Sequence, residues 1–228
     1  MNFLFEEQEP AQRHIKWTRC FRLAMPEEDA IAGPPSDTIS RIINYTSPRH
    51  RVSAGELPPG LGGSGARGVL GRAIGPAFFS LGESRFSDGS FGVCYVSNCE
   101  RTAVLEAGAR LEHLIGVSMR PFMSIELELF EMRVEGLFHD VTGGGYSRLM
   151  LRRSLEHSQA MGRTLRAAGS NGIIFPGPCM ENPQAQCLAV FSAPTLKGSR
   201  SLGRIELGWR DGKLKGYWEK GTARRLCD

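Results

Sequence analysis

The stretch SRFSDGSFGVCYVSNCERTAVLE, residues 84–106, decides how the rest of the chain is read. Ser87-Asp88-Gly89 carries tight-turn chemistry, because Asp can bond backbone two residues on and Gly accepts a positive φ. Phe91–Val96 is a short apolar and aromatic run, which predicts a buried strand. Ser97-Asn98-Cys99-Glu100 has the Ser-x-x-Glu form of a capping box and predicts a helix start. Glu106 falls about two turns inside that helix. The reading therefore brings three groups to one pocket: the cation of Arg85 on a loop, the ring of Tyr95 on a strand and the carboxylate of Glu106 on a helix.

Working outward, the helix is expected to run to about Gly116, a residue suited to a position just past a helix end. Val104, Ala107, Gly108, Leu111, Leu114 and Ile115 follow the spacing of a core-facing stripe. Glu106 sits at the edge of that stripe, where half-buried acids usually have a partner. Ile125–Val134 alternates apolar and charged residues with a phase shift near Phe130, the pattern of a half-exposed strand with its glutamates on a solvated face. Tyr146–Ala168 has one helical periodicity ending at Gly169. Ile173–Phe175 and Cys187–Phe191 read as two buried strands around the loop FPGPCMENPQAQ, residues 175–186. Asp211-Gly212 predicts a hairpin between Arg204–Gly208 and Lys213–Trp218. Upstream, Trp17–Leu23 is a first strand. Met25–Gly75 reads as an insertion, with a short helix at Ile39–Tyr45 and a Gly/Pro-dense run from Leu57 to Gly71. Strands and helices mix without βαβα alternation, so the expectation is one α+β domain over 1–228.

A chain of 228 residues is long enough for a full core, and its net charge of +4 with scattered arginines gives no nucleic-acid footprint. Six cysteines without C-x-x-C spacing give no zinc or thioredoxin-like motif, so no metal is expected. No run reaches the length of a membrane span, and MNFLFEEQEP lacks the basic and apolar regions of a signal peptide. Those readings set the expectation of a cytoplasmic protein.

The residues quoted above resemble the RES domain, a family named for an Arg, a Glu and a Ser and found in toxins of bacterial toxin–antitoxin pairs. Its Arg in a G/S-R-F/W segment is similar to SRF with Arg85, its strand aromatic to VCYVS with Tyr95, and its TA-x-x-E to TAVLE with Glu106. Arg166–Pro194 resembles a second family block, so the match covers roughly Phe78 to Pro194. Arg19 and Arg22 fit the family's opening strand of the form x-R-x-x-R, and ordinary surface arginines fit it as well. The sequence departs from the family at its Ser, which falls on Gly177, and at the Tyr before Pro, which is Phe175.

The resemblance implies a split, twisted sheet like that of ADP-ribosyltransferase toxins, built around a nicotinamide-nucleotide cleft. It implies NAD as substrate, cleaved between nicotinamide and ribose, with phosphate, water or a protein as acceptor. A cognate antitoxin, itself a DNA-binding protein, would cover the cleft, and a homodimer stays open. In these terms Glu106 stabilises an oxocarbenium-like ribose, Arg85 holds the pyrophosphate with Arg19 as a second cation, and Tyr95 or Phe86 walls a ring. Gly177 offers a backbone N–H to a phosphate, and Asn182, with Gln184 or Gln186, replaces the lost hydroxyl. Plainer roles stand beside these: an Arg85–Asp88 pair across the turn, Tyr95 as a core residue, and an exposed Glu106–Arg110 pair. Three functions follow. They are an NAD-degrading toxin, an ADP-ribosyltransferase acting on a protein, and a silent relative that only binds a partner.

Overall fold

The computed structural model describes residues 10–24, 69–79, 82–115, 122–150, 155–178, 182–219 and 222–224. Its elements are β1 (Gln12–Ala24), α1 (Val69–Phe79), β2 (Glu83–Ser84), β3 (Ser87–Asp88), β4 (Cys94–Ser97), α2 (Glu100–Ile115), β5 (Phe122–Asp140), α3 (Glu156–Ala167), β6 (Gly172–Pro176), β7 (Gln186–Val190), β8 (Leu196–Arg210), β9 (Lys213–Glu219) and β10 (Thr222–Arg224). Short 3-10 turns cover Gly144–Met150 and Ala193–Thr195. The class is α+β, with three helices among the described residues and one large, twisted mixed sheet.

The sheet has the order β1-β4-β7-β6-β5-β8-β9-β10, and β1 also pairs with β5. Five strands, β1, β4, β7, β6 and β5, therefore form a closed circuit of neighbours, from which β8, β9 and β10 extend as an open arm. Closure is possible because β5 is long and bends. It shifts register against β8 between Leu129 and Phe130 and again between Met132 and Arg133, which is where the sequence changes phase. Beyond Val134, the last β5 residue paired to β8, the strand pairs in parallel with β6 at His139 and Asp140.

The circuit explains why β4, β6 and β7 read as unbroken apolar runs. Each is buried on both faces. Cys94, Val96, Ile174, Leu188 and Val190 share one core with Ala73 and Ile74 of α1. Tyr95, Ile173, Phe175, Cys187 and Ala189 share a second with Met161 and Leu165 of α3. A third core seats Ala103, Val104, Ala107 and Leu111 of α2 against β1, β5 and β8.

Several expectations change. Tyr146–Ala168 is not one helix: a 3-10 turn ends at Met150 and α3 begins only at Glu156. Ser97 ends β4 and does not cap α2; its hydroxyl lies 3.1 Å from Cys187 Sγ, while Cys99 precedes the helix and faces Thr102 Oγ1 at 2.8 Å. Part of the expected insertion is structural, since Val69–Gly75 belongs to α1. The rest of it, with the helix expected at Ile39–Tyr45, lies outside the described residues. The glutamates of β5 are paired rather than merely solvated: Glu126 with Arg204 at 2.8 Å and Glu131 with Arg19 and Arg200 at 2.7 and 3.1 Å. Asp211 and Gly212 take φ of 52° and 73°, the left-handed pair that a two-residue hairpin needs, and they join β8 to β9 as expected.

Candidate active-site cleft

β1 and β4 pair at one position, Phe21 opposite Ser97. Past it the two strands part, and a cleft opens between them. Arg22 and Leu23 of β1, Tyr95 of β4, and Ala107, Arg110 and Leu111 of α2 line it. The split-sheet expectation is met at this gap.

Arg22 holds the gap at a fixed width. Its guanidinium donates through NH1 to the Tyr95 carbonyl at 3.3 Å, across the split, and through Nε to the Ala73 carbonyl at 2.6 Å. That second acceptor belongs to α1, so Arg22 also ties that helix to β1. Arg22 is 6% exposed. Burial pulls its pKa down, Cys94 pushes it back up, and the like charge of Arg110 pulls it down further. An arginine nonetheless stays charged, so a fixed cation stands in the cleft wall.

Arg85 and Phe86 form the tip of the β2–β3 hairpin, so the tight turn falls two residues before the Ser87-Asp88-Gly89 signal. The tip is clamped from several sides. Tyr95 Oη donates to Ser84 Oγ at 3.0 Å and accepts from the Phe86 N–H at 3.2 Å. Gln159 of α3 donates to the Ser84 carbonyl at 3.1 Å, and Arg163 of the same helix pairs with Asp88 at 2.6 Å. Gly162 is required here: a Cβ on it would lie 1.9 Å from the Phe86 carbonyl oxygen. Thus Arg85 does not pair with Asp88, whose partner is Arg163. Arg85 donates to the Leu149 carbonyl at 3.3 Å, lies 5.8 Å from the Phe175 ring centroid, and keeps a buried Nε without a hydrogen-bond partner among the described residues.

Glu106 projects from the second turn of α2 and is 6% exposed, so it is no member of an exposed Glu–Arg pair. Arg110, one turn on, lies over the Tyr95 ring at 5.2 Å. Cys187 reports where the charges sit. Burial pushes its thiol well above the ordinary range, the Glu106 carboxylate pushes it further, the Ser97 hydrogen bond lowers it, and the Arg85 cation also draws it back. The Glu106 carboxylate and the Arg85 guanidinium thus act on this one thiol with opposite sign. Tyr95 fixes the turn that carries Arg85, while Glu106 lies on α2, which packs on β4 and β7.

The remaining candidates lie elsewhere or do other work. Arg19 is on the outer face of β1, paired with Glu131, with its side chain 63% exposed. Phe86 is fully buried, edge-on to Phe175 at 5.3 Å, and presents no open wall. The Gly177 N–H is spent on the Ala185 carbonyl at 2.8 Å, so it cannot be aimed at a phosphate. A Cβ on Gly177 would meet Thr102 Cγ2 at 2.6 Å, so the glycine is there for close packing on α2. Asn182 is exposed; its side chain closes a turn onto the Gln184 N–H at 3.0 Å. Asn98 stitches that loop to the start of α2, donating to the Gln184 carbonyl at 2.7 Å and accepting from the Gln186 N–H at 3.0 Å.

The two residues underweighted by sequence reasoning are Arg22 and Arg110. Simple alternation from Ile15 and Trp17 turns Arg19 inward. A register shift between Trp17 and Cys20 moves the phase by one residue, so Cys20, Arg22 and Ala24 face inward instead. No spacing rule announces a bulge. Arg110 could have been found from its place one turn after Glu106, on the same flank of α2.

The arrangement defines a class: an α+β protein with a cleft where two sheet strands part, walled by two arginines and an aromatic ring. A sequence model of the RES domain matches residues 68–210, more than half of the chain, and the chain belongs to that family. The match begins where α1 begins, which brings that helix into the domain. Among solved structures, the crystal structure of the M. tuberculosis MbcT–MbcA toxin–antitoxin complex is similar at 13% identity and a TM-score of 0.43, over 83% of this chain and 86% of that one. No curated protein matches the chain.

Proposed function

We propose that this RES domain is the toxin of a toxin–antitoxin pair and acts by breaking NAD at its nicotinamide–ribose bond. The observation that supports the reading is a buried carboxylate, Glu106, on the helix that also carries Arg110 into the cleft, with Tyr95 of the cleft wall clamping the turn that bears Arg85. The pyridinium nitrogen of NAD is already positive, so the C1′–N bond can break with its electron pair going to nitrogen and neutral nicotinamide leaving. The ribose is left oxocarbenium-like. A carboxylate fixed by a helix stabilises that charge without having to reorganise. An oxygen of phosphate or water then bonds C1′; where water attacks, it gives up a proton to solvent. Arg85, held by its hairpin, supplies a guanidinium fork suited to a pyrophosphate.

A second reading, a silent relative that binds only a partner, draws on Gly177, since Thr102 occupies the space that a serine side chain would need. One experiment separates them. Purified protein is incubated with NAD, with and without phosphate, and the products are resolved by chromatography. Nicotinamide with ADP-ribose or its phosphate supports the toxin reading. Transfer of label to lysate proteins moves the activity to protein modification. Intact NAD after prolonged incubation supports the silent relative.

A further inference from the structure

We propose that the outer face of β1, β5 and β8, beyond the part covered by α2, docks an acidic segment of a partner polypeptide. The proposal stands apart from the NAD reading, since none of its residues lines the cleft. α2 covers the outer face at Phe21, Leu23, Leu127 and Leu129. Further along the same strands Ile15, Met132, Val134 and Leu196 turn into the core that α1 shares. Exposed cations occupy the other side there: Lys16 and Arg19 of β1, Arg133 of β5, and Lys197 and Arg200 of β8. They are far apart in sequence and are gathered by strand pairing. Two carboxylates stand among them. Glu135 takes Lys16 at 3.4 Å. Glu131, with its side chain 13% exposed, takes Arg19 and Arg200 at 2.7 and 3.1 Å and so holds both guanidinium groups in place. Each of the two spends Nε and one terminal nitrogen on Glu131 and keeps its NH1 group free of any described partner. Arg133 and Lys197 have no acidic partner among the described residues, and they stand directly opposite each other across β5 and β8. Like charges so placed destabilise a sheet. Gly198 gives Arg133 its room, since a Cβ there would lie 3.1 Å from an Arg133 guanidinium nitrogen. The charge pattern selects the occupant. A nucleic acid or an anionic membrane carries phosphate throughout and would set it against Glu131 and Glu135 as well as the cations. A polypeptide sets carboxylates only against Arg133, Lys197 and the free edges of the two held arginines, with neutral side chains over the glutamates. Leu137, next out from Glu135 on the same face and 48% exposed, adds an apolar contact.

The full chain is titrated against a labelled peptide in which glutamate alternates with serine and which ends in leucine, and binding is followed by fluorescence anisotropy. Saturable binding that weakens with salt is expected, and the same peptide with glutamine for glutamate should not bind. Arg133→Glu should weaken binding about tenfold or more. It replaces a like-charge cross-strand pair with an opposite one, so the variant should melt no lower than the wild type, and its lost binding is then not a loss of fold. Lys197→Gln, at an exposed position, reaches the same readout by a second route and should weaken binding severalfold. No saturable binding by the wild type overturns the proposal, and so does binding that both variants keep. Three further results overturn it by giving the face to another occupant. A single-stranded oligonucleotide or a phosphatidylserine vesicle that binds more tightly than the peptide, and is lost in Arg133→Glu, gives it to a polyphosphate or a membrane. A dimer that Arg133→Glu breaks gives it to a second copy. Lys197 that resists acylation in the free chain shows the face already covered by the chain itself.

Discussion

Glu106→Gln keeps the size and hydrogen-bonding reach of the side chain and removes its charge. NAD turnover should fall by about 10²-fold or more, roughly 2.7 kcal/mol, the usual cost of losing one preorganised electrostatic stabiliser. NAD binding measured on the same protein should persist. Turnover near the wild-type rate would move Glu106 out of the chemistry. Tyr95→Phe tests a different role. The hydroxyl bonds both sides of the Arg85 turn, so its loss should act through the position of Arg85. A weaker hold on NAD, seen as a raised KM, and about 1 kcal/mol of lost stability are expected. An unchanged KM would leave Tyr95 a core residue. Gly177→Ser should be destabilising, because its Cβ would press on Thr102, which is fully buried, and on the Ala185 backbone. Overpacking of this kind costs about 1–3 kcal/mol, measurable by urea unfolding. A variant of wild-type stability would mean that the loop and α2 separate easily.

Among the elements, the β2–β3 hairpin is the one whose placement the cleft depends on, and α3 holds it. The Asp88 carboxyl is pulled down to about 2, chiefly by the Ser90 hydroxyl and the Arg163 guanidinium. Its folded pKa lies below the ordinary carboxylate value, so the clamp is fully present above that value and is lost as pH falls toward 2. Amide exchange in the hairpin should therefore quicken over that interval, to a modest extent because the pair is exposed. In Arg163→Gln the transition should move up toward ordinary carboxylate pH; an unmoved transition would show that Ser90 alone sets it. The same scale shows what the sequence discloses. The buried strands around Tyr95 and Cys187 are legible because burial on both faces leaves continuous apolar runs, and the β8–β9 hairpin because Asp-Gly satisfies a left-handed turn. The inward turn of Arg22 is not legible, since one extra residue in β1 inverts every side chain after it. Nor is the work of Ser97: its capping pattern with Glu100 is genuine, but the tertiary pairing of β4 with β7 takes Ser97 for the sheet. Gly177 suggests a free N–H only while Ala185, its partner across the loop, is out of view.

At the scale of the whole molecule, three of the described cysteines, Cys20, Cys94 and Cys187, are buried and one, Cys99, is half-buried. Burial pushes Cys187 well up and raises Cys94, and burial with the nearby Cys94 raises Cys20 as well, so these thiols stay protonated at neutral pH. Among these four, alkylation of the folded protein followed by peptide mass spectrometry should mark Cys99 first. Early labelling of Cys187 would mean that the face carrying Glu106 and Arg85 opens to solvent. The closed strand circuit has a further consequence, in time rather than in space. Its first member, β1, begins at Gln12, and its last, β7, ends at Val190. Arg22, Arg85, Tyr95 and Glu106 all leave the ribosome early, yet Leu149, Phe175 and Cys187, against which they are set, come much later. Between the emergence of Arg110 and that of Val190 the chain carries the charged groups of the cleft and cannot assemble the cleft, because the ring of strands shuts only once β7 is made.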